Sequence, residues 1–251
     1  MRYLYPNKIS AVWASEEATG YPVENILDTH AEHPWRATSK DAQLKLTVGG
    51  RGDSVGLAST NAVGATVTVK DATETTTLFG PTFYDLTGIA DWYQFFTDTG
   101  IQQTELMVAY GEQEAGHIII FDLTAATGDL LEVGVARAGI VRSVDEPGWG
   151  FEEYLVDYPI AKKKLASGGD FYIKGTVVSG FRLEVFGHRT DTFWAIMRGL
   201  AKQIGEESIF WQVTTLDNPN WTIFGHFNGM PGGPHTTLEY SLLKMDLIQS
   251  V

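Results

Sequence analysis

Three groups of residues in this chain have the types and spacing that chemistry requires. His30 and His33 flank Glu32 in HAEH (30–33), and histidines three apart on a helix can share a metal ion. Pro34 follows directly, and a proline ring pushes the preceding residue out of helical backbone, so the segment is expected as exposed loop. The adjacent carboxylates Glu16-Glu17, Glu152-Glu153 and Glu206-Glu207 are pairs of the kind that glycoside hydrolysis employs. Neighbours in a strand point to opposite faces, however, and such a pair does not flank one bond. GxSxG, HExxH, phosphate-cradling GxxxxGK and GxGxxG between a strand and a helix are all missing. No catalytic or metal-binding residues and no cofactor are expected, and the chain is read as a non-enzyme.

The third group is aromatic. Residues 71–105 begin Thr-rich and continue with Phe79, Phe83, Tyr84, Trp92, Tyr93, Phe95 and Phe96 among turn residues. This stretch reads as a long irregular loop whose rings pack beneath it, with a stacking platform for a sugar face as the functional alternative. Trp92 is the candidate stacking ring and Arg36 the candidate hydrogen-bond donor, with Trp35 beside it expected in the core. Arg51-Gly52-Asp53 lies within GGRGDS (49–54), a glycine-rich turn between two strands, and three residues do not specify a receptor. The one basic run, Lys162-Lys163-Lys164, reads as a solvated turn.

The elements that position these residues are mostly strands. The one convincing helix is 191–204: Phe193, Ile196, Met197, Leu200 and Ile204 share a face, Asp191 caps the start and Gly205 suits the left-handed residue that ends it. Strands are expected at 43–48, 55–61, 65–69 and 105–110, within 171–187, and at 208–213, 221–227 and 237–248. HIIIFDL (117–123) and LLEVGVARAG (130–139) read as a hairpin, with Gly134 and Gly139 marking a bulge or close approach. Pro22, Val23, Ile26 and Leu27 form a small apolar turn near the N-terminus. The fold class is all-β in two domains: a β-sandwich over 1–150 and a smaller β-module with its helix over 151–251.

Charge and composition narrow the partners. Thirty-one acids against 18 bases give a formal charge of −13, which disfavours a grip on nucleic-acid phosphates or on an anionic membrane. With 43% hydrophobic and 20% charged residues the chain can build a core, and without cysteine it has neither disulfides nor thiolate chemistry. No apolar run reaches the length of a membrane span, and no basic segment precedes an apolar one at the start.

A succession of short motifs also carries a resemblance. Ala14-Ser15, then Tyr21-Pro22-Val23-Glu24-Asn25-Ile26-Leu27-Asp28, then Trp35-Arg36, followed by the strands above, resemble the opening of the discoidin (galactose-binding-like) β-sandwich. Leu131, Val133-Gly134, Val135 and Gly139, the strand bearing Arg182, the helix pair Phe193-Trp194, Phe210-Trp211 and Asp217-Asn218-Pro219 continue it. Over nearly the whole chain this succession is similar to tailed-phage tail-tip (distal tail) proteins that carry such a module. The resemblance implies a structural component of a tail-tip ring or collar, made without a signal peptide and carried in the virion. Its implied partners are other copies of itself in a cyclic oligomer, neighbouring tail proteins and host-surface glycan, with neither nucleic acid nor membrane insertion. A free carbohydrate-binding protein is the alternative, and a glycan-cleaving enzyme the third reading. Adjacent rings point apart, in a helix for Phe193-Trp194 and in a strand for Phe210-Trp211, so Trp194, Trp211 and Arg198 are the candidate interface residues.

Overall fold

A computed structural model gives the three-dimensional structure. It describes residues 1–28, 32–87, 103–143, 152–158, 161–164, 170–173, 176–188, 191–205, 207–213, 222–229 and 240–250. The protein is almost wholly β, with antiparallel sheets and one α-helix. It divides into two compact units, residues 2–144 with 209–224, and Met1 with 145–208 and 225–251.

The first unit is a sandwich. β4 (Asp41–Val48) shows why: Ala42, Leu44, Leu46 and Val48 alternate with Asp41, Gln43, Lys45 and Thr47, so one face is apolar and the other polar. In order, the sheet is β2 (Ile9–Ala14), β4, β9 (Ile118–Ala125), β6 (Ala62–Lys70) and β7 (Thr77–Asp85). Facing it are β3 (Trp35–Arg36), β10 (Glu132–Gly139), β5 (Gly52–Thr60) and β8 (Leu106–Gln113), again in spatial order. Leu44, Leu46, Val67 and Phe121 from one sheet and Val55, Leu57, Val108 and Val133 from the other belong to one core cluster. Val23 and Ile26 of a short 3-10 helix (Val23–Leu27) and the Trp35 ring join that cluster, so the apolar turn expected there is a helical turn packed into the core.

Two sequence expectations are corrected here. The stretch 117–139 is no hairpin: β9 pairs with β4 and β6, whereas β10 pairs with β3 and β5 in the other sheet. Both strands are apolar runs, which fits a crossing between sheets as well as a tight turn. Residues 77–85, expected as loop, form the edge strand β7, whose pairing with β6 is broken by two register shifts around Gly80-Pro81. An edge position tolerates the proline that a central strand excludes.

β10 is buried on both faces from Val133 to Gly139, and its second face explains the return of 209–224 to this unit. β11 (Val141–Ser143), β1 (Arg2–Leu4), β16 (Ile209–Gln212) and the first residues of β17 (Thr222–Phe227) follow one another in a sheet. Leu4, Phe210 and Phe224 from these strands cluster with Ala58 and Val135. Phe210 lies so close over Gly56 that a Cβ there would meet its ring carbons at 2.8 Å. Trp211, on the other side of the same strand, is fully buried and stacks on Tyr3 with ring centroids 5.5 Å apart. The expectation that one ring of the Phe210-Trp211 pair stays open to a neighbouring copy is therefore corrected: strands β1 and β16 are covered on both sides.

In the second unit, β12 (Glu152–Tyr158), β15 (Thr176–His188), β18 (Tyr240–Gln249) and the last residues of β17 form an antiparallel sheet. The helix α1 (Asp191–Ile204) has the bounds its periodicity predicts, with Met197, Leu200, Ala201 and Ile204 buried and Gly199, Lys202 and Gln203 exposed. Gly205 takes the left-handed φ of 59° that ends the helix. Phe181, Leu183, Val185, Met245 and Leu247 supply the buried positions of β15 and β18. The lysine run is strand rather than turn, because β13 (Ala161–Lys164) pairs with β14 (Asp170–Ile173).

Candidate functional site

Arg36 is the sequence candidate around which the structure assembles other groups. β3 is only two residues long, and its register Glu132↔Arg36 and Val133↔Trp35 sets both side chains. Trp35 turns inward: it is fully buried, and its indole N–H donates to the Glu16 carbonyl at 3.1 Å. It belongs to the core beneath Arg36 and offers no face to a ligand. Arg36 turns outward, and its guanidinium sits 4.2 Å from the centroid of the Tyr21 ring. A terminal nitrogen of Arg36 pairs with Glu132 at 2.5 Å, the two side chains being 31% and 32% exposed. Its Nε–H is buried and has no acceptor among the described residues.

The same strand ends hold the roots of the aromatic-rich segment. Leu86 N–H donates to Val63 O at 2.9 Å, Gln103 N–H to Leu86 O at 3.1 Å, and Thr60 N–H to Thr104 O at 3.1 Å. The Thr60 hydroxyl then donates to Glu132 O at 2.9 Å, and Glu132 is the residue that pairs with Arg36. Asn61 fastens the 130–132 segment through two further bonds, to Leu130 O and from Glu132 N–H, at 2.7 and 2.8 Å. Gln103, at the root itself, also has a buried side-chain N–H without an acceptor among the described residues. Trp92 lies in 88–102, outside the described residues.

A second polar anchor stands behind this group. Thr38 and Ser39 both donate hydroxyl hydrogen bonds to the Glu16 carboxylate. Those bonds hold the Glu16 carboxyl below its usual range, more than its slight desolvation raises it. The 3-10 turn is pinned in turn by Arg137, whose buried guanidinium donates to Leu27 O at 3.2 Å and Asp28 O at 2.8 Å. The result is a rigid bed under Tyr21 and Arg36. A guanidinium, a carboxylate and an aromatic ring on one bed can accept and donate to paired hydroxyls while packing an apolar ring face.

The other candidates separate cleanly. Arg51 is tied to Glu112 at 2.6 Å and to Glu114 at 3.6 Å, and an Asp53 carboxylate oxygen accepts from Val141 N–H at 2.8 Å. The Arg-Gly-Asp tripeptide is thus built into the strand scaffold. His33 is exposed, His30 lies outside the described residues, and no group of three metal-ligating side chains occurs among the described residues. Trp194 and Arg198 are on α1, with side chains outside the described set. Tyr21, Glu132 and Gln103 are the site residues that sequence reasoning missed. Only Tyr21 had a signal, as part of the Tyr21-Pro22 turn.

No family profile matches the chain, and no curated protein matches it. Solved structures resemble it over about half of its length. Chitosan-binding module 1 of a chitosanase/glucanase from Paenibacillus sp. IK-5 is 14% identical, with 53% of this chain and 98% of the module covered and a TM-score of 0.39. A carbohydrate-binding module from Clostridium perfringens, in complex with GalNAc-β-1,3-galactose, is 12% identical over 51% of this chain and 94% of its own, with a TM-score of 0.38. XRCC1 bound to the DNA polymerase β catalytic domain is 12% identical over 53% and 97%, with a TM-score of 0.39.

Proposed function

We propose that the first unit is a non-catalytic carbohydrate-recognition module that reads sugar hydroxyls at the strand ends around Arg36. The observation that carries this is the Arg36 guanidinium, fixed on Tyr21 and Glu132 with its side chain still 31% exposed. A charged donor held in place by its neighbours loses little freedom when a ligand hydroxyl binds to its open side. Trp92, outside the described residues, is assigned as the stacking ring on its sequence alone.

A glycan array followed by calorimetry on the best ligand tests this. Arg36→Gln and Trp92→Ala are each expected to weaken binding at least ~10-fold, about 1.4 kcal/mol, with the melting temperature unchanged. A silent array, or affinities that neither substitution moves, overturns the reading.

The second reading is the one the motif succession implies, a tail-tip ring component carried in the virion beside other tail proteins. It is favoured by Leu155, a leucine 71% exposed on β12, the last strand in its sheet among the described residues. Exposed apolar side chains on a sheet edge suit association with another copy. Light scattering across a concentration series, with Trp194→Ala and Leu155→Glu alongside, decides it: a monomer at every concentration refutes the ring.

A further inference from the structure

A cavity lies in the first unit, away from Arg36 and outside the reading above. It has a volume of about 370 Å³, at the small end of the ~300–1,000 Å³ typical of small-molecule sites. Five separate stretches of chain line it: β1 gives Arg2, β5 gives Asp53 and Ser54, β8 gives Met107 and Glu112, β11 gives Val141, and the returning β16 gives Gln212. Asp53 and Thr60 stand seven residues apart on β5, so at ~3.3 Å per residue this cavity is on the order of 23 Å from the Arg36 site.

The cavity carries charge of both signs. Arg2, Asp53 and Glu112 line it, and Glu112 is paired with Arg51 at 2.6 Å. Arg51 also meets Glu114 at 3.6 Å, so two guanidiniums stand against three carboxylates, a slight acidic excess that disfavours a free phosphate. What remains is hydrogen-bonding capacity of both kinds. Asp53 spends one carboxylate oxygen on Val141 N–H, at 2.8 Å, and keeps the other as an acceptor. Glu112 likewise meets Arg51 through one oxygen. The Ser54 hydroxyl and the Gln212 amide, both on buried residues, donate and accept. Met107 and Val141 add an apolar patch. Hydroxyl is the ligand group that satisfies donors and acceptors alike, and a ring that carries hydroxyls on its rim and C–H bonds on its face matches the patch as well.

We infer that this cavity is a second, independent binding site for a neutral polyhydroxylated ring, of the size of one or two pyranose units. Sequence reading singled out Asp53 only within Arg51-Gly52-Asp53, because the residues that line the cavity are spread from Arg2 to Gln212.

Saturation-transfer NMR and calorimetry with the methyl glycosides of glucose, galactose, mannose and N-acetylglucosamine, and with lactose and cellobiose, test the site. The measurements use full-length Arg36→Gln protein, so that failure of the Arg36 site does not mask this one. Binding by at least one of these probes is expected to persist there. It is expected to fall at least tenfold in Ala109→Trp, which fills the cleft from an exposed position, and in Asp53→Asn, which keeps an oxygen for Val141 N–H and removes the charge. Amide shifts at Ala109 and Gly111 on titration locate the ligand whichever variant folds less well. Absence of binding by every probe, binding that Ala109→Trp leaves intact, or displacement of the sugar by inorganic phosphate overturns the proposal.

Discussion

Arg137→Met is the sharpest test of how the fold holds the Arg36 bed. Arg137 sits on β10 with its side chain buried, and its guanidinium reaches out of the strand to the end of the 3-10 turn. There it donates to the carbonyls of Leu27 and Asp28, at 3.2 and 2.8 Å, and to Ala136 O at 2.9 Å. Its charged head also lies 5.9 Å from the Phe224 ring centroid. Methionine fills most of the volume but donates nothing. A hydrogen bond from a charged donor contributes ~1.5–3 kcal/mol, and a buried carbonyl left bare costs ~1–3 kcal/mol. With two carbonyls stranded at the turn, and some relief as water reaches them, the expected loss is about 3–5 kcal/mol.

In a unit of this size each kcal/mol lowers the melting temperature by ~2–4 °C, so a drop on the order of 10 °C is expected. Urea unfolding gives the free energy, and hydrogen exchange shows where it was lost. Amides 23–28 are expected to lose protection first, while the β4–β9 ladder keeps it. Because Tyr21 rides on this segment, sugar binding at Arg36 is expected to weaken in parallel. Wild-type stability in Arg137→Met, or a loss of protection spread evenly over the unit, would refute the assignment of Arg137 as the clamp of the turn.

Met197→Asp puts an unpaired charge on the buried face of α1, and a loss of about 3–5 kcal/mol in urea unfolding is expected; an unchanged transition means that the helix does not face the sheet. His117 is buried with Nδ1–H donating to Glu114 O at 2.6 Å and Nε2 accepting from the Tyr110 hydroxyl at 2.8 Å, beside Asp53, and burial lowers its pKa below 6.5. The unfolded chain then binds the proton more readily, so stability is full above pH ~6.5 and declines as pH falls through 6.5 towards the lower folded value. His117→Gln should flatten that limb of the thermal-denaturation profile, and an unaltered limb assigns the effect elsewhere. A fragment of residues 1–150 lacks β16 and the start of β17, so it is expected to bind a hydrophobic dye and to melt early, with rescue when 209–224 is appended through a flexible linker. A fragment 1–150 that is monomeric and fully stable contradicts the two-unit division.

Much of the architecture was readable because burial imposes a period. β4 alternates cleanly, since one face meets the core and the other water, and α1 carries its stripe between unambiguous end signals. The period failed where both faces are covered. Ile118 to Phe121 and Val133 to Ala136 are runs of apolar or small residues, and such runs state burial without naming a partner strand. β7 escaped for the opposite reason. As an edge strand with Gly80-Pro81 and an exposed Phe83, it packs only Phe79 and Tyr84 against the core, and register shifts break their alternation. At the candidate site, Arg36 and the burial of Trp35 were legible beside each other. Glu132 and Gln103 were not, since strand pairing and a loop root bring them there from far along the chain.

The Phe210-Trp211 pair shows how a sound local argument reaches a wrong conclusion. Opposite faces for adjacent strand residues is correct geometry, and Phe210 and Trp211 do point apart. The inference of an exposed ring assumed that the strand belongs to the small C-terminal module, where one face would go uncovered. Residues 209–224 instead return to the sandwich unit. Phe210 fills the space above Gly56, next to Phe224 at 4.9 Å between ring centroids, and Trp211 finds Tyr3. Two full aromatic burials contribute ~3–6 kcal/mol on area alone, enough to fix the chain's route through a unit otherwise built from its first 144 residues. The smallness of Gly56 is the one trace of this in the sequence, and it has meaning only once the ring that rests on it is known. The same return sets Gln212 into the wall of the cavity beside Asp53, so the segment that completes the core also completes the proposed second site.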